Sequence, residues 1–265
     1  MAFSLTILGS SSGVPTAGRN TTAHVLNVHE RFFLIDCGEG TQIQFRRFRI
    51  RFGKVNHIFI THLHSDHYIG LFGLLSTMSM IGRKTQLHLF APARLEQILE
   101  SHYSLVSDRP LFPIVFHPLD SAGPTMIHAD AHVEVTSFPT RHRIPAWGFL
   151  FREKFRPGNN RALQPRSFAH CADGLFNPSL ADILRGVNLL YHEATYLHDK
   201  LERARSTGHS TALQAGEMAR ISNVQQLVIG HFSARYKDVT PLLDQAKSVF
   251  ENTSAAYDGL TIQID

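Results

Sequence analysis

The chain has 265 residues, of which 43% are hydrophobic and 18% are charged, a composition typical of a folded protein with a large buried core. No apolar run approaches the roughly 18 residues that a membrane-spanning helix needs, and the first residues lack the basic region of a signal peptide. A net charge of +4 is compatible with a nucleic-acid partner, although many unrelated proteins are equally basic. The only cysteines, Cys37 and Cys171, indicate no disulfide framework, so a reducing cytoplasm is the expected location.

Short apolar runs bounded by turn-forming residues predict strands along the whole chain. The predicted strands are Phe3–Leu8, His24–Val28, Phe32–Ile35, His57–Thr61, Leu87–Ala91, Ile114–His117, Val133–Phe138, Gly148–Phe151, Leu189–His192, Gln226–Ile229 and Leu260–Ile264. Apolar residues spaced three and four apart predict helices at Gly40–Phe48, Tyr68–Ile81, Ala93–His102, Ser210–Ile221 and Thr240–Phe250. This alternation indicates an α/β fold, in one domain over residues 1–265, with helices covering the sheet faces.

The predicted strand His57–Thr61 leads directly into a cluster of metal-ligand side chains, His62, His64, Asp66 and His67. In an extended segment alternate residues lie on the same side, so His62 and His64 face the same way. Imidazole and carboxylate are ligands that zinc accepts, and four of them within six residues can serve two adjacent ions. A purely structural strand end would leave these polar groups unpaired at high cost, so the cluster predicts a metal site.

A site with two metals needs more ligands than this run supplies. His142, Asp173 and His231 follow later strand-like segments, at the ends where α/β active sites collect. Singly, each of them is more often an ordinary surface or capping residue. The sequence alone therefore leaves the choice of the remaining ligands open.

The chain resembles the metallo-β-lactamase fold superfamily, whose His-x-His-x-Asp-His signature it carries at residues 62–67. Within that superfamily it looks like the ribonuclease Z family of tRNA 3′-processing endonucleases. The resembling segments are Leu8–Thr16, Asp36–Gln42, Gly70–Met78, His192–Thr195, His209–Thr211 and Gly230–Tyr236. The superfamily signature alone implies only a metallohydrolase, whereas the full set in the family's order is specific.

The resemblance implies a four-layer αβ/βα sandwich, with two sheets face to face, helices outside and two zinc ions at one edge. One zinc is assigned His62, His64 and His142, and the other is assigned Asp66, His67 and His231, with Asp173 bridging the two. Asp36 is expected to orient ligands, although an ordinary turn residue explains it equally well.

The same resemblance assigns catalysis to Asp66 and to the pair Glu193 and His209. Two adjacent metals can activate water at neutral pH and stabilise the charge on a phosphodiester under attack. A carboxylate beside an imidazole stabilises its protonated form, so His209 is the expected proton donor to the leaving oxygen. The alternatives are a helix-start acid for Glu193 and a residue near a helix N-terminus for His209. His192 is expected to point to the opposite side.

The implied substrate is precursor tRNA, cut after the discriminator nucleotide to leave a 3′-hydroxyl, and the implied assembly is a homodimer. The apolar helix Leu71–Ile81 is a candidate interface, but a buried core face explains its pattern equally well. Two basic groups are candidates for phosphate contacts, although solvated surfaces explain each residue as well. They are Arg46, Arg47, Arg49, Arg51 and Lys54, and Arg152, Lys154, Arg156, Arg161 and Arg166.

The chain departs from the family in three places. The family usually inserts a long tRNA-gripping arm after the strand that ends near Arg152, whereas Glu153–Arg166 is long enough only for a basic loop. Ser65 and Gly174 replace a usual glycine and a usual threonine. Two alternatives remain open: a metallohydrolase of smaller phosphodiesters, which a missing arm would suit, and a catalytically silent RNA-binding or scaffolding protein. The presence of all seven ligands argues against the second.

Overall fold

Two seven-stranded sheets and a two-stranded sheet make up the β-structure of the computed structural model, which describes residues 2–154 and 165–265. The strands are β1 (Phe3–Gly9), β2 (Ser11–Ser12), β3 (Ala23–Val28), β4 (Arg31–Ile35), β5 (Val55–Phe59), β6 (Leu87–Pro92), β7 (Ile114–Leu119), β8 (Thr125–Ala129), β9 (Val133–Thr140), β10 (Ala146–Glu153), β11 (Ser167–Cys171), β12 (Leu189–Glu193), β13 (Gln226–Gly230), β14 (Phe232–Ser233), β15 (Thr253–Ala255) and β16 (Thr261–Gln263). The α-helices are α1 (Thr41–Arg47), α2 (Ser65–Tyr68), α3 (Gly70–Met80), α4 (Arg94–Val106), α5 (Ala181–Leu184), α6 (Leu201–Thr207), α7 (Ala212–Ile221) and α8 (Thr240–Lys247).

Each sheet combines antiparallel and parallel pairs. The first sheet has the order β16-β1-β3-β4-β5-β6-β7, with parallel pairing from β4 to β7. The second has the order β15-β13-β12-β11-β10-β9-β8, with parallel pairing among β11, β12, β13 and β15. Parallel neighbours end at the same edge of a sheet, so loops after β5, β11, β12 and β13 can converge there.

Aromatic side chains fill the space between the two sheets. Phe59 of the first sheet stacks on Phe90 at 4.6 Å and meets Phe149 of the second sheet edge-on at 5.3 Å. All three are buried, and each such side chain stabilises the fold by about 1.5–3 kcal/mol through removal from water. This rigid interior fixes the position of β5, which carries the metal motif.

A second core lies between the first sheet and its helices. Leu71, Leu74, Leu75 and Met78 of α3 are all buried there. The apolar face of this helix therefore packs in the core, as predicted by the alternative to an interface. At the start of α3, the backbone of Gly70 passes close to the backbone of Gly38. A Cβ on Gly70 would lie 1.9 Å from the Gly38 carbonyl oxygen. Only glycine fits there, and α2 with its ligands is held against the first sheet as a result.

The αβ/βα sandwich and the predicted strands are confirmed, with corrections to several boundaries. The strand predicted at His57–Thr61 is Val55–Phe59, because the chain leaves the sheet before the metal motif. The helix predicted at Tyr68–Ile81 is two helices, α2 and α3, because Ile69 and Gly70 form a junction between them. The helix predicted at Ala93–His102 continues to Val106.

Two further helix predictions were too long. The helix predicted at Ser210–Ile221 begins at Ala212, because Thr211 caps it through a reciprocal side-chain bond with Gln214. The helix predicted at Thr240–Phe250 ends at Lys247.

The expected loop Glu153–Arg166 begins and ends on neighbouring strands. β10 runs to Glu153, whose backbone N–H donates to the Arg166 carbonyl oxygen at 2.8 Å. The rest of this loop, residues 155–164, lies outside the described residues. No helix among the described residues combines the length and apolar character that a membrane crossing requires.

Candidate metal centre

Seven candidate ligands and the Glu193–His209 pair come together at one edge of the sandwich. His62 and His64 follow β5, and Asp66 and His67 lie in α2. The later ligands follow strands of the second sheet. His142 comes just after β9, Asp173 after β11 and His231 directly after β13. The sequence-predicted positions are therefore brought together from both sheets.

The first ligand group contains three histidines and one aspartate. His64 Nδ1 lies 3.0 Å from His62 Nε2 and 3.1 Å from His142 Nε2, and Asp173 Oδ2 lies 3.7 Å from His62 Nε2. All four ligand atoms lie within 4.8 Å of one another. Ligands around one tetrahedral zinc are about 3.3 Å apart, so this group fits one ion.

The second ligand group contains Asp66, His67 and His231, all buried. His67 Nε2 lies 3.3 Å from His231 Nε2, and each of these nitrogens lies 3.4 Å from Asp66 Oδ2. The Gly13 backbone N–H donates to the same Asp66 oxygen at 2.7 Å and fixes its position. This group also fits one ion.

Asp173 lies between the two groups. Its Oδ2 is 3.7 Å from His62 Nε2 and 3.4 Å from His67 Nε2, and its Oδ1 is 3.3 Å from His231 Nδ1. A carboxylate in this position can contact ions held by either group.

Hydrogen bonds on the outer side of the His67 and His142 rings fix their orientation. His67 Nδ1 donates to Asp36 Oδ2 at 2.8 Å, and Asp36 Oδ1 accepts from the Thr61 backbone N–H at 2.8 Å. His142 Nδ1 donates to the Gly208 carbonyl oxygen at 2.7 Å. These bonds leave Nε2 of each ring facing the centre, the arrangement typical of metal-ligating histidines.

Two residues in this network were not predicted. Thr61 Oγ1 donates to Asp36 and lies 3.0 Å from His62 Nδ1, and Thr195 Oγ1 lies 2.9 Å from His231 Nδ1. Each threonine stands next to a residue of a motif already noted, which is the signal that could have found it. Their hydroxyl groups contact Nδ1 of these two ligand rings and help to fix the ring orientations.

The backbone at two of these positions is strained. Asp36 has φ of 59° and His231 has φ of 57°, in the left-handed region that non-glycine residues seldom adopt. Such conformations persist where the surrounding structure holds them, and they cluster at functional sites.

The charges in the centre favour a cation. Burial alone would raise the pKa of Asp173, but His231, His67 and His209 lower it well below its usual range. Burial alone would lower the pKa of His67, yet nearby carboxylates led by Asp66 raise it well above its ordinary value. Ionised carboxylates therefore surround ring nitrogens that attract a positive charge, which a metal ion supplies by replacing protons.

Glu193 is fully buried and holds His209. Glu193 Oε1 accepts from His209 Nδ1 at 3.0 Å and from the Ser210 backbone N–H at 2.9 Å, while Oε2 accepts from Thr195 Oγ1 at 2.7 Å. Burial alone would lower the pKa of His209, but Glu193 and Asp173 raise it to about 9. The ring is therefore cationic at neutral pH. Its Nε2 faces away from Glu193.

His192 takes no part in this arrangement. Its ring is buried, and its Nδ1 donates to the backbone oxygen of Glu193 at 2.7 Å.

The two departures within the motifs are accommodated locally. Ser65 begins α2 and is not among the described residues with positive φ, so replacing a glycine there causes no backbone strain. A Cβ on Gly174 would lie 3.2 Å from the Thr140 Cβ, so the backbone at this position is closely packed. The Gly174 backbone N–H donates to Glu193 Oε1 at 3.2 Å, which keeps this segment against the Glu193–His209 pair.

The two predicted basic groups differ in how far their charges are paired. Arg46, Arg47, Arg49 and Arg51 are all exposed beside α1. In the second group, Arg166 forms hydrogen bonds with Glu153, and Lys154 Nζ lies 3.2 Å from Glu134 Oε1. Arg156 and Arg161 lie outside the described residues. Among the described residues, the first group therefore presents the larger exposed positive surface.

Known proteins resemble this chain in sequence and in fold. A family model described as a Beta-lactamase superfamily domain matches residues 31–232. Ribonuclease Z of Bacteroides thetaiotaomicron is 39% identical over 302 aligned positions, covering 99% of this chain and 96% of the relative. Ribonuclease Z of Porphyromonas gingivalis is 38% identical, covering 99% of each chain.

The crystal structure of the short form of human tRNase Z matches with a TM-score of 0.84 and 28% identity, covering 99% of both chains. Both bacterial alignments are longer than the 265 residues of this chain, so these relatives contain segments that it lacks. The chain belongs to the ribonuclease Z family of the β-lactamase superfamily.

Proposed function

We propose that this protein is a metal-dependent endoribonuclease that removes the 3′ trailer of precursor tRNA. It hydrolyses one phosphodiester after the discriminator nucleotide and leaves a 3′-hydroxyl on the tRNA. The observation that carries this proposal is the junction of two metal-ligand groups at Asp173, directly beside the Glu193–His209 pair. Two relatives more than a third identical over nearly the whole chain are ribonucleases Z.

The donor set fits two zinc ions. His62, His64 and His142 would hold one, and Asp66, His67 and His231 would hold the other, with Asp173 between them. All are imidazoles and carboxylates, buried or half-buried, which are the groups that zinc prefers in proteins. When bound, the ions supply Lewis-acid stabilisation of a phosphoryl group and activation of water for attack.

His209 supplies the proton that the leaving oxygen needs. Cleavage breaks the bond between phosphorus and the 3′ oxygen of the tRNA, and this oxygen leaves as an alkoxide unless it is protonated. Glu193 fixes the ring through Nδ1 and raises its pKa, so the imidazolium presents Nε2 toward the substrate. Glu193 is a positioning residue, because it is fully buried and acts through His209.

RNA recognition rests on the exposed arginines beside α1. Arg47, Arg49 and Arg51 are exposed, and Arg46 covers the Phe52 ring with its guanidinium 5.5 Å from the ring centroid. Guanidinium groups bind phosphates in a forked geometry, and contacts of this kind recognise RNA by backbone and shape.

A smaller phosphodiester is the second candidate substrate. Only residues 154–165 separate β10 from the approach to β11, a span too short for a projecting helical arm. The absence of a long tRNA-gripping arm favours small phosphodiesters as substrates, because such an arm would supply contacts to RNA. Retention of the Glu193–His209 pair favours RNA. A catalytically silent scaffold is not favoured, because all seven ligands face one another.

The proposed assembly is a homodimer in the cytoplasm. Ile43 on α1, Ile69 before α3 and Met80 at the end of α3 are exposed, at 66%, 43% and 81% of full accessibility. A second copy covering these side chains would remove apolar area from water. The location is proposed because the similar ribonucleases Z are bacterial proteins, and bacteria make precursor tRNA in the cytoplasm.

The direct test is cleavage of a 3′-extended precursor tRNA beside a small chromogenic phosphodiester, by zinc-loaded wild type and Asp66→Ala. Wild type alone should cut the tRNA after the discriminator. Turnover of the small ester with intact tRNA would assign the second candidate. Equal activity of both proteins on either substrate would contradict the role of the metal centre.

A further inference from the structure

Four histidines meet at an edge of the sandwich, away from the metal centre. His57 lies on β5, His88 on β6, His117 on β7 and His128 on β8. β7 and β8 are the edge strands of the two sheets, so the cluster spans the gap between the sheets. All four residues are half-buried. We call His57, His88, His117 and His128 the edge histidine cluster.

The rings of the edge histidine cluster form a continuous chain of contacts. His57 and His88 are register partners, and their rings are nearly parallel with centroids 5.0 Å apart. The His88 ring is 5.2 Å from that of His117, and the His57 ring is 4.5 Å from that of His128. The contacts therefore connect three strands of the first sheet to the edge of the second.

Three ring nitrogens of the edge histidine cluster are candidate ligands. His88 Nδ1 and His117 Nε2 lie 2.9 Å apart and share a hydrogen bond, which a metal ion bound to both would replace, and His128 Nε2 is buried without a hydrogen-bond partner. Burial, and to a lesser degree the neighbouring histidines, lower the pKa of His57 to about 3. Burial also lowers the pKa values of His117 and His128. Neutral imidazoles with free lone pairs are the form that binds metal ions.

Aromatic packing accounts for the rings but not for their nitrogens. His117 stacks on Phe90 at 4.2 Å, and His57 lies 5.3 Å from Phe33. Phenylalanine would fill the same positions without burying polar atoms, which costs free energy when they have no partner. Four histidines on four separate strands are better explained by a ligand that all of them contact.

We propose that the edge histidine cluster binds a divalent transition-metal ion of the zinc class and so clamps the edges of the two sheets together. The 2.9 Å separation of His88 Nδ1 and His117 Nε2 is close to the roughly 3.3 Å between ligands of one tetrahedral zinc. No third nitrogen of the cluster is as close to this pair as the ligand atoms of the metal centre are to one another. Binding therefore includes rotation of the His57 and His128 rings about their side-chain torsions.

The ion would be a borderline transition metal, and it would be distinct from those of the metal centre. A set of imidazoles selects zinc, copper or nickel over magnesium and calcium, which prefer oxygen ligands. His57 lies on β5, whereas His62 follows it, and no residue of the edge histidine cluster is among the candidate ligands of the metal centre. Occupancy of one site therefore does not require occupancy of the other.

The test compares His88→Phe with wild type and with the control His102→Phe. Phenylalanine keeps the ring stacking at position 88, and His102 is an exposed histidine on α4 outside the cluster. Each apo protein is loaded with zinc, passed through gel filtration and analysed for zinc per chain by mass spectrometry. His88→Phe should retain one equivalent fewer than wild type and His102→Phe. Equal zinc content in all three proteins would overturn the proposal.

Crystals of zinc-loaded wild type, measured on both sides of the zinc absorption edge, give a check that needs no variant. A difference peak about 2.1 Å from both His88 Nδ1 and His117 Nε2 is expected. Zinc peaks confined to the ligands of the metal centre would contradict the proposal even if a variant failed to fold.

Discussion

At the scale of single residues, the charge of His209 depends on the buried carboxylate beside it. Glu193 accepts hydrogen bonds from His209, Ser210, Thr195 and Gly174, so the carboxylate is stable as an anion although it is buried. An anion held in this way stabilises the imidazolium of His209. The pair can therefore donate a proton at neutral pH.

Replacing His209 should remove catalysis and leave the metals in place. His209→Ala should lower kcat on precursor tRNA by about 10²–10⁴-fold, the usual contribution of a positioned general acid. Zinc content should match that of wild type, because His209 is not one of the seven candidate ligands. Loss of zinc in the variant would instead make His209 a ligand, and wild-type kcat would exclude it as the proton donor. His102→Ala is the matched control.

Glu153 should make the stability of the protein depend on acid pH. Burial alone would raise its pKa, but hydrogen bonds from Arg166 and contact with His29 lower it to about 2 in the folded state. Since the unfolded value is higher, this contribution is fully present above about pH 4.5 and is lost as the pH falls toward 2. Glu153→Gln should be less stable than wild type at pH 7, and the difference should vanish near pH 2. Denaturant unfolding across this range measures it, and a constant difference would refute the assignment.

At the scale of elements, the strands that are buried on both faces were predictable, because continuous apolar runs mark them. α6 was not, since Leu201–Thr207 is mostly polar and only Ala204 of it is buried. β8 and β15 were missed because one is a half-exposed edge strand and the other has three residues. β11 is fully buried, and the sequence indicated it only as the strand-like segment before Asp173, because its histidine interrupts the apolar run.

The ligands in the His-x-His-x-Asp-His run were predictable from their spacing, whereas the later ligands were not. His142 and His231 follow strands as many surface histidines do, and only the family resemblance selected them. The motifs beside Thr61 and Thr195 mark both as candidates, but their contacts depend on ring orientations that exist only after both sheets have packed. Sequence patterns report local structure, and these contacts are between distant segments.

The ends of α3 offer a test of the proposed dimer. Met80→Glu places a charge on the most exposed apolar residue of this helix and should convert a dimer into a monomer, as measured by light scattering. Leu105→Glu, on α4, is the control because Leu105 is 85% exposed yet lies outside the proposed interface. Wild-type protein that is already monomeric, or a Met80→Glu variant that remains dimeric, would show that this surface is not the interface.

At the scale of the whole molecule, neither sheet can form the metal centre alone. His62 follows a strand of the first sheet, while Asp173 and His231 follow strands of the second. Metal ions held by these residues would therefore bind the folded sandwich and not the unfolded chain, and their binding would stabilise the fold.

Removing the metals should lower thermal stability. A ligand at one hundred times its Kd contributes about 2.7 kcal/mol, which corresponds to a Tm decrease of about 5–10 °C on chelation for a protein of this size. Calorimetry of zinc-loaded and chelated protein measures the change, and added zinc should restore the original Tm. Unchanged Tm on complete zinc removal would contradict a centre that joins the two sheets.

The most direct measurement is cleavage of precursor tRNA in water enriched in oxygen-18, followed by mass spectrometry of both products. Attack by water, with protonation of the 3′ oxygen by His209, predicts one heavy oxygen on the 5′-phosphate of the trailer. The tRNA should end in an unlabelled 3′-hydroxyl at the discriminator nucleotide. A cyclic phosphate on the tRNA, or label in the tRNA product, would contradict hydrolysis by the metal centre and the Glu193–His209 pair.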